Sequence, residues 1–267
     1  KKIDDQNLLY KDYRIVPWCA RCGTALASHE LAQGYADVKD LSVVAKFKIK
    51  GFDGAYFLAW TTTPWTLPGN VALAVGKDIV YVEAKVGEEI YVLAKDRLAA
   101  FASTIGELGT GYTIIAEHKG SEMVGMEYEP LYPFLANAIT GDEKNSEKEK
   151  LTNAFKIYAA DFVTTEDGTG IVHIAPMYGA DDFELGNKVG LPKFHTVNLD
   201  GTFIKNTGFL EGRFVKDEDV AVDIIKDLAN REGGSLLYEK KKYEHNYPHC
   251  WRCKTPLIYY ARDSWYV

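Results

Sequence analysis

Cys19-Ala20-Arg21-Cys22 and Cys250-Trp251-Arg252-Cys253 constrain this chain's fold more than any other feature. They hold all four of its cysteines. Each pair has the C-x2-C spacing that lets two thiolates reach one ion from a tight turn, and four sulfurs complete a closed tetrahedral zinc shell with no open position for water. The pairs lie roughly 230 residues apart, so a shared ion would tie the leading end of the chain to its trailing end. That arrangement suits a body carried on a zinc-ribbon stalk and inserted into another fold. Two disulfides or a thioredoxin-like redox pair are the competing readings. Nothing suggests secretion, and neither pair opens a helix in a βαβ context, so structural zinc is the expectation.

The 267 residues are 46% hydrophobic and 26% charged, an ordinary soluble globular composition. No run approaches the roughly 18 apolar residues that span a bilayer, so no membrane role is expected. The start, Lys1-Lys2-Ile3-Asp4-Asp5-Gln6, lacks an apolar signal core and an initiator methionine. We therefore expect a cytoplasmic location and a piece of something longer. The net charge of −7 argues against extensive phosphate contact. A local contact is still open at Lys240-Lys241-Lys242, with His245, His249, Arg252 and Lys254 downstream, although such runs are more often solvated faces.

Strand signals dominate. Ala45, Phe47 and Ile49 alternate with lysines. Residues 79–86 and 89–94 read as a hairpin across Gly87-Glu88. Residues 112–116 and 155–163 read as strands, and 236–242 as a strand leading to the second cysteine pair. Residues 95–104 have helical character, and 217–231 form the best amphipathic helix, ended by Gly233-Gly234. Residues 127–134 hold two prolines and must be irregular or extended. The charged stretch 141–150 lacks apolar anchors, and we expect the least order there.

Two stretches carry chemistry. In the first, the apolar run Ala55-Tyr56-Phe57-Leu58-Ala59-Trp60 reads as a buried strand that delivers Thr61-Thr62-Thr63. Pro64 and Pro68 then stop any regular ladder, because each lacks a backbone N–H. The result is a rigid, hydroxyl-rich loop facing a small polar ligand. In the second, glycines bracket a short strand in Gly168-Thr169-Gly170-Ile171-Val172-His173, Pro176 ends it, and residues 179–189 read as a helix. Asp181 and Asp182 lie in that helix's first turn, where negative charge suits the dipole. Taken singly, such threonines, such a histidine and such an aspartate are usually structural.

Taken together, the string Trp60-Thr61-Thr62-Thr63-Pro64-Trp65-Thr66-Leu67-Pro68-Gly69-Asn70 and the Gly-Thr-Gly-Ile-Val-His, Ala-Pro, Asp-Asp series resemble the editing (CP1) domain of isoleucyl-tRNA synthetases. The sister domains of valyl- and leucyl-tRNA synthetases carry Thr-Thr-Arg-Pro followed by an acidic residue and threonine. Here Thr63 and Trp65 replace the arginine and the acid, which selects the isoleucine branch.

The resemblance covers essentially the full chain. It implies a mixed α/β fold with a β-barrel-like core, surrounding helices and a small zinc-ribbon stalk. Residues 1–40 would be the leading stalk with the first cysteine pair, 41–235 the editing domain, and 236–267 the return strand, second cysteine pair and exit toward the synthetase core. The implied activity is hydrolysis of valyl-tRNA specific for isoleucine, with valyl-adenylate as a further substrate. Discrimination between isoleucine and valine is the standard illustration of how little one methylene is worth, about 1–3 kcal/mol.

By the same resemblance Asp182 would hold the substrate ammonium, and Thr61, Thr62 and Thr63 would position the ester, the terminal adenosine or the water. His173 would line the side-chain pocket and exclude isoleucine, and Trp60, Thr66 and Asn70 would be wall or support residues. Cys19, Cys22, Cys250 and Cys253 would hold zinc. The nucleotide-binding signatures of class I synthetases are absent, so ATP and aminoacylation would belong to the parent enzyme. The expected partners are the charged tRNA end and the parent's catalytic core, with the fragment itself a monomer. Two other readings stay open: a non-catalytic zinc-ribbon RNA-binding module, and the editing domain of a valyl-tRNA synthetase relative.

Overall fold

The structure, a computed structural model, describes residues 3, 6, 8–101, 111–143, 145–231 and 233–266. The end of the helix expected over 95–104, Lys144, Val267 and most of the first six residues lie outside them. The strands are β1 (Tyr10–Cys19), β2 (Thr24–Ala25), β3 (Tyr35–Lys48), β4 (Ala55–Thr61), β5 (Ala72–Val75), β6 (Val80–Val86), β7 (Glu89–Ala94), β8 (Thr113–Lys119), β9 (Lys156–Ala159), β10 (Ile171–Ile174), β11 (Leu237–Pro248) and β12 (Ile258–Tyr266). The longer helices are α1 (Phe134–Gly141), α2 (Ala180–Val189) and α3 (Glu218–Ala229).

The strands build a mixed α/β architecture with two sheets. A three-stranded sheet runs β12-β1-β2, and a nine-stranded sheet curls as a half-barrel. Strand β4 is the hub of the larger sheet, and its composition explains why. Ala55, Phe57 and Ala59 face one core cluster, while Tyr56 and Leu58 face another. A strand that is apolar on both faces must be covered on both faces. Its neighbour β3 splits the same way, with Val43, Ala45 and Phe47 on one side and Val44 on the other.

One edge of β4 pairs antiparallel with β3. The other edge is shared. Strand β7 runs parallel to Ala55–Phe57, and β10 then takes over at Trp60, opposite Val172. The sheet therefore forks just before the threonines. Gly170 sits at the branch with φ of 75°, and a β-carbon there would meet that of Ala94 at 2.4 Å. The fork needs a residue with no side chain and access to the left-handed region.

Helix α3 buries Val220, Ile224, Ile225 and Leu228, the stripe read from the sequence. It stops at Ala229, before the two glycines. The strand expected over 155–163 is only β9, because Phe155 takes φ of 60° and the chain turns after Ala160 N–H reaches Val75 O. The described part of 141–150 is also more ordered than its composition suggests. It leads into a 3-10 helix over Glu149–Asn153, and the Glu147 carboxylate takes both Lys150 and the Lys193 N–H. Helix α1 begins where only irregular structure was read. The β3–β11 ladder runs from Tyr35 opposite Pro248 to Ala45 opposite Leu237, with a register shift between Leu237 and Glu239. No helix among the described residues is long and apolar enough to cross a membrane.

Candidate active site and metal centre

The fork in the sheet opens a cleft of about 370 Å³. Its walls are the end of β4 with the threonine loop on one side, and β10 with the start of α2 on the other. Trp60, Thr61, Thr62, Thr63, Thr66, His173 and Asp182 all line it. Residues read from two distant stretches thus meet in one place. Asn70 does not line the cleft. It lies buried behind His173 and acts as support.

The threonine loop is a hydrogen-bonded unit. The Thr63 N–H donates to Thr61 Oγ1 at 3.1 Å, and the two hydroxyls lie 3.2 Å apart. Pro64 opens a 3-10 turn over Pro64–Gly69, in which every residue is buried. Among the described residues the Thr62 hydroxyl has no hydrogen-bond partner, and it lines the cleft.

The protonation of His173 follows from its neighbours. The Asn70 amide nitrogen donates to Ala72 O at 2.8 Å and to His173 Nδ1 at 2.9 Å, while Asn70 Oδ1 accepts from the Tyr128 hydroxyl at 2.6 Å. His173 Nδ1 is therefore an acceptor, and the proton sits on Nε2. That N–H donates to Thr66 Oγ1 at 2.8 Å, and the Thr66 hydroxyl passes its own proton to Thr63 O at 2.8 Å. Burial lowers the His173 pKa to about 4. The imidazole is neutral, with both nitrogens committed, and has no lone pair left for proton abstraction.

Asp182 is opposite in character. It occupies the first turn of α2 and folds back so that Oδ2 accepts the Ala175 N–H at 2.7 Å. Burial raises its pKa to about 7, against the pull of that N–H, and the neighbouring Asp181 charge adds to the rise. A carboxylate this poorly solvated is set up to pair with a cation. The carboxylate can reach this position because residue 179 is glycine. A β-carbon there would lie 2.7 Å from Asp182 Oδ1.

Several cleft residues escaped the sequence reading. Thr169 is buried and donates to Leu58 O at 2.6 Å, which latches the glycine turn onto β4. Only the glycine-threonine-glycine string hinted at it. The Tyr178 hydroxyl accepts from the N–H groups of Thr196 and Val197. Phe162, Thr164 and Asp167 complete the rim. They follow a turn with no local pattern, so only the tertiary fold brings them in.

The four cysteines meet at the foot of the molecule. Their sulfurs lie within 4.8 Å of one another, with Cys19 to Cys253 at 3.4 Å and Cys22 to Cys250 at 4.0 Å. A tetrahedron of four sulfurs at about 2.3 Å from zinc has edges of roughly 3.8 Å, so the set fits one ion. The Cys22 N–H points at Cys19 Sγ, as expected where a turn stabilises a thiolate. No disulfide links them. The basic stretch does not form a continuous face. Lys241 pairs with Glu239, His245 with Asp40, and the Arg252 guanidinium lies over Trp251.

All 267 residues match the family described as tRNA synthetases class I (I, L, M and V). The chain is 47% identical over 265 residues to the isoleucine–tRNA ligase of Bacillus thuringiensis (strain Al Hakam), covering 99% of this chain and 23% of that protein. It is 48% identical over 267 residues to the isoleucine–tRNA ligase of Clostridium acetobutylicum, covering 100% of this chain and 23% of that protein. The chain thus spans less than a quarter of the curated relatives it matches. A solved structure described as GlLeuRS-CP1 resembles it with a TM-score of 0.51 at 15% identity, over 70% of this chain and 96% of that one, a likeness of fold.

Proposed function

The chain belongs to the class I tRNA synthetases of the isoleucine, leucine, methionine and valine group, and we propose that it is the editing domain of an isoleucyl-tRNA synthetase. Its substrate in this reading is valyl-tRNA specific for isoleucine, and it acts as an ester hydrolase that does not itself charge tRNA. The observation that carries this reading is the meeting of the threonine loop, His173 and Asp182 around one cleft.

In the reaction, a water oxygen bonds to the ester carbonyl carbon, the bond to the ribose oxygen breaks, and valine and the free tRNA hydroxyl leave. Asp182 holds the α-ammonium, and its raised pKa favours this because the ammonium replaces missing solvation. The free Thr62 hydroxyl and the loop amides orient the ester and the water. His173 presents a rigid neutral edge that limits side-chain size. With both nitrogens occupied it is not the base, and the water's proton is relayed, through the substrate's neighbouring ribose hydroxyl or solvent, to the ribose oxygen that departs. Cys19, Cys22, Cys250 and Cys253 would hold zinc as a cross-link. A four-thiolate shell leaves no position for a reacting water, which argues against a metallohydrolase. Cytoplasmic location, a monomeric fragment and the three-part division at residues 40 and 235 belong to the same proposal.

The test is deacylation of valyl- and isoleucyl-tRNA specific for isoleucine, at high protein concentration, with Asp182→Ala and His173→Ala in parallel. Selective valyl hydrolysis, lost in the first variant and less selective in the second, is the expected result. Wild-type rates in Asp182→Ala would remove the ammonium role. RNA binding with no hydrolysis by the folded protein would favour the non-catalytic module instead.

A further inference from the structure

One rim of the cleft is held by a cation that does not enter it. Arg97 lies half-buried on a short 3-10 turn over Lys95–Arg97, directly after β7. Its Nε donates to Gly168 O at 2.7 Å, and its Nη1 donates to Glu166 O at 2.9 Å and to Thr165 O at 3.4 Å. All three acceptors are backbone carbonyls of one loop. The stretch just beyond has other anchors. Thr169 O accepts the Ala94 N–H at 2.9 Å, and Gly170 O accepts the Tyr81 hydroxyl at 2.7 Å. Among the described residues, Arg97 is what ties 165–168 to the sheet.

That loop faces the cleft, where Thr164, Asp167 and Gly168 are part of the lining. Gly168 takes φ of 66°, and a β-carbon there would lie 3.0 Å from the Trp60 ring. The loop backbone therefore rests on the side chain that precedes the threonines. The lining holds Asp167 and Asp182 but no lysine or arginine. The guanidinium is committed to the loop's carbonyls, and the cleft keeps the negative character that a cationic α-ammonium requires.

Resting on the editing reading, we propose that Arg97 is a positioning residue of the ester-hydrolysing site. It touches no substrate. By fixing three carbonyls it sets the height of the 164–168 rim over Trp60. That height sets the space left for the amino-acid end of the ester between the rim and the threonine loop. Arginine suits the task because its planar fork reaches several acceptors as one rigid group, which the point charge of lysine on its flexible stem does not. Where the rim falls away, placement of the ester and the upper limit on side-chain size are lost together.

The test is deacylation of valyl- and isoleucyl-tRNA specific for isoleucine by Arg97→Ala and Arg97→Lys, with a thermal melt of each variant. In Arg97→Ala we expect kcat/KM on the valyl ester to fall about tenfold or more, and its preference over the isoleucyl ester to narrow. Arg97→Lys should fall between that variant and the wild type, and it carries the comparison alone if the alanine protein does not fold. Guanidinium chloride at low concentration, set against equal sodium chloride, should restore part of the rate and preference to Arg97→Ala and none to Asp182→Ala. A merely structural loss would lower both esters equally and follow the melting temperature. That result, with no rescue by guanidinium, would overturn the proposal, as would wild-type rates and preference in Arg97→Ala. A wild type that hydrolyses neither ester would overturn the editing reading itself, which separates the two failures.

Discussion

Asp182 should weaken the fold it belongs to at high pH, and replacing it with asparagine should reveal by how much. Its pKa is about 7 in the folded protein against 3.8 for a free side chain. Between those values the folded state binds more protons than the unfolded one, so stability falls as pH rises through the interval. Each pH unit is worth 1.36 kcal/mol, giving on the order of 4 kcal/mol at pH 8. Residual solvent contact and the loss of the charge-assisted bond from the Ala175 N–H reduce the net gain in Asp182→Asn to about 2 kcal/mol. That corresponds to about 4–8 °C in Tm for a protein of this size. At pH 5 the folded carboxyl keeps its proton while the unfolded one has lost it, so about 1.6 of those roughly 4 kcal/mol is already present, and the difference vanishes only below about pH 3.8. His173 contributes the opposite slope between about 4 and 6.5, because its folded pKa is lowered, but it does so in both proteins and cancels from the difference. Paired thermal melts at pH 3.5, 5 and 8, alongside deacylation assays, measure this directly. A variant that is inactive, matches the wild type at pH 3.5 and gains progressively over it up to pH 8 is the expected result. A variant no more stable than wild type at pH 8, or equally stabilised at pH 5, would refute the link between strain at this carboxylate and its function.

Four other outcomes follow from the same geometry. Asn70→Ala strips partners from His173 Nδ1 and from the Tyr128 hydroxyl, and should cost about 2–4 kcal/mol in urea unfolding; less than 1 kcal/mol would mean the network is not holding the ring. His173 should show the ¹⁵N shifts of a neutral imidazole protonated at Nε2 down to about pH 4.5, and a titration near 6.5 would contradict its burial. Gly179→Ala should leave the fold intact, since the backbone there is extended, but displace the Asp182 carboxylate and cut deacylation at least tenfold. Cys19→Ser should lower bound zinc and the Tm together, and unchanged zinc stoichiometry would rule out the four-cysteine site.

Much of this molecule is legible in its residues because chemistry and pattern coincide. The doubly apolar Ala55–Ala59 run had to be a central strand, and the two cysteine pairs had to meet if they share an ion. The α3 stripe of Val220, Ile224, Ile225 and Leu228 shows the 3.6-residue period without interruption. What was not legible depends on distant partners. Strand β1 has half-exposed, mixed residues and acquires its identity only from pairing with β12. Phe155 gives no hint of positive φ, and Glu147 orders a charged loop through a backbone N–H on Lys193. In the site, Thr62 and Asp182 stood out through the strings around them. Asn70's place behind the imidazole needed coordinates, because Asn70 and His173 are 103 residues apart.

That separation bears on the order in which the protein comes into being. The β4–β10 pairing that opens the cleft closes a loop of more than a hundred residues, and the cysteine cluster closes one of 234. Such closures are entropically slow, so the hairpin β6–β7 and the local turns should form first and the fork last. A growing chain that has made only its threonine loop therefore has no carboxylate opposite it and no size limit on what enters. On the proposed function, hydrolytic competence and selectivity would arrive in the same step, when β10 docks, and an unfinished chain would not cleave esters indiscriminately.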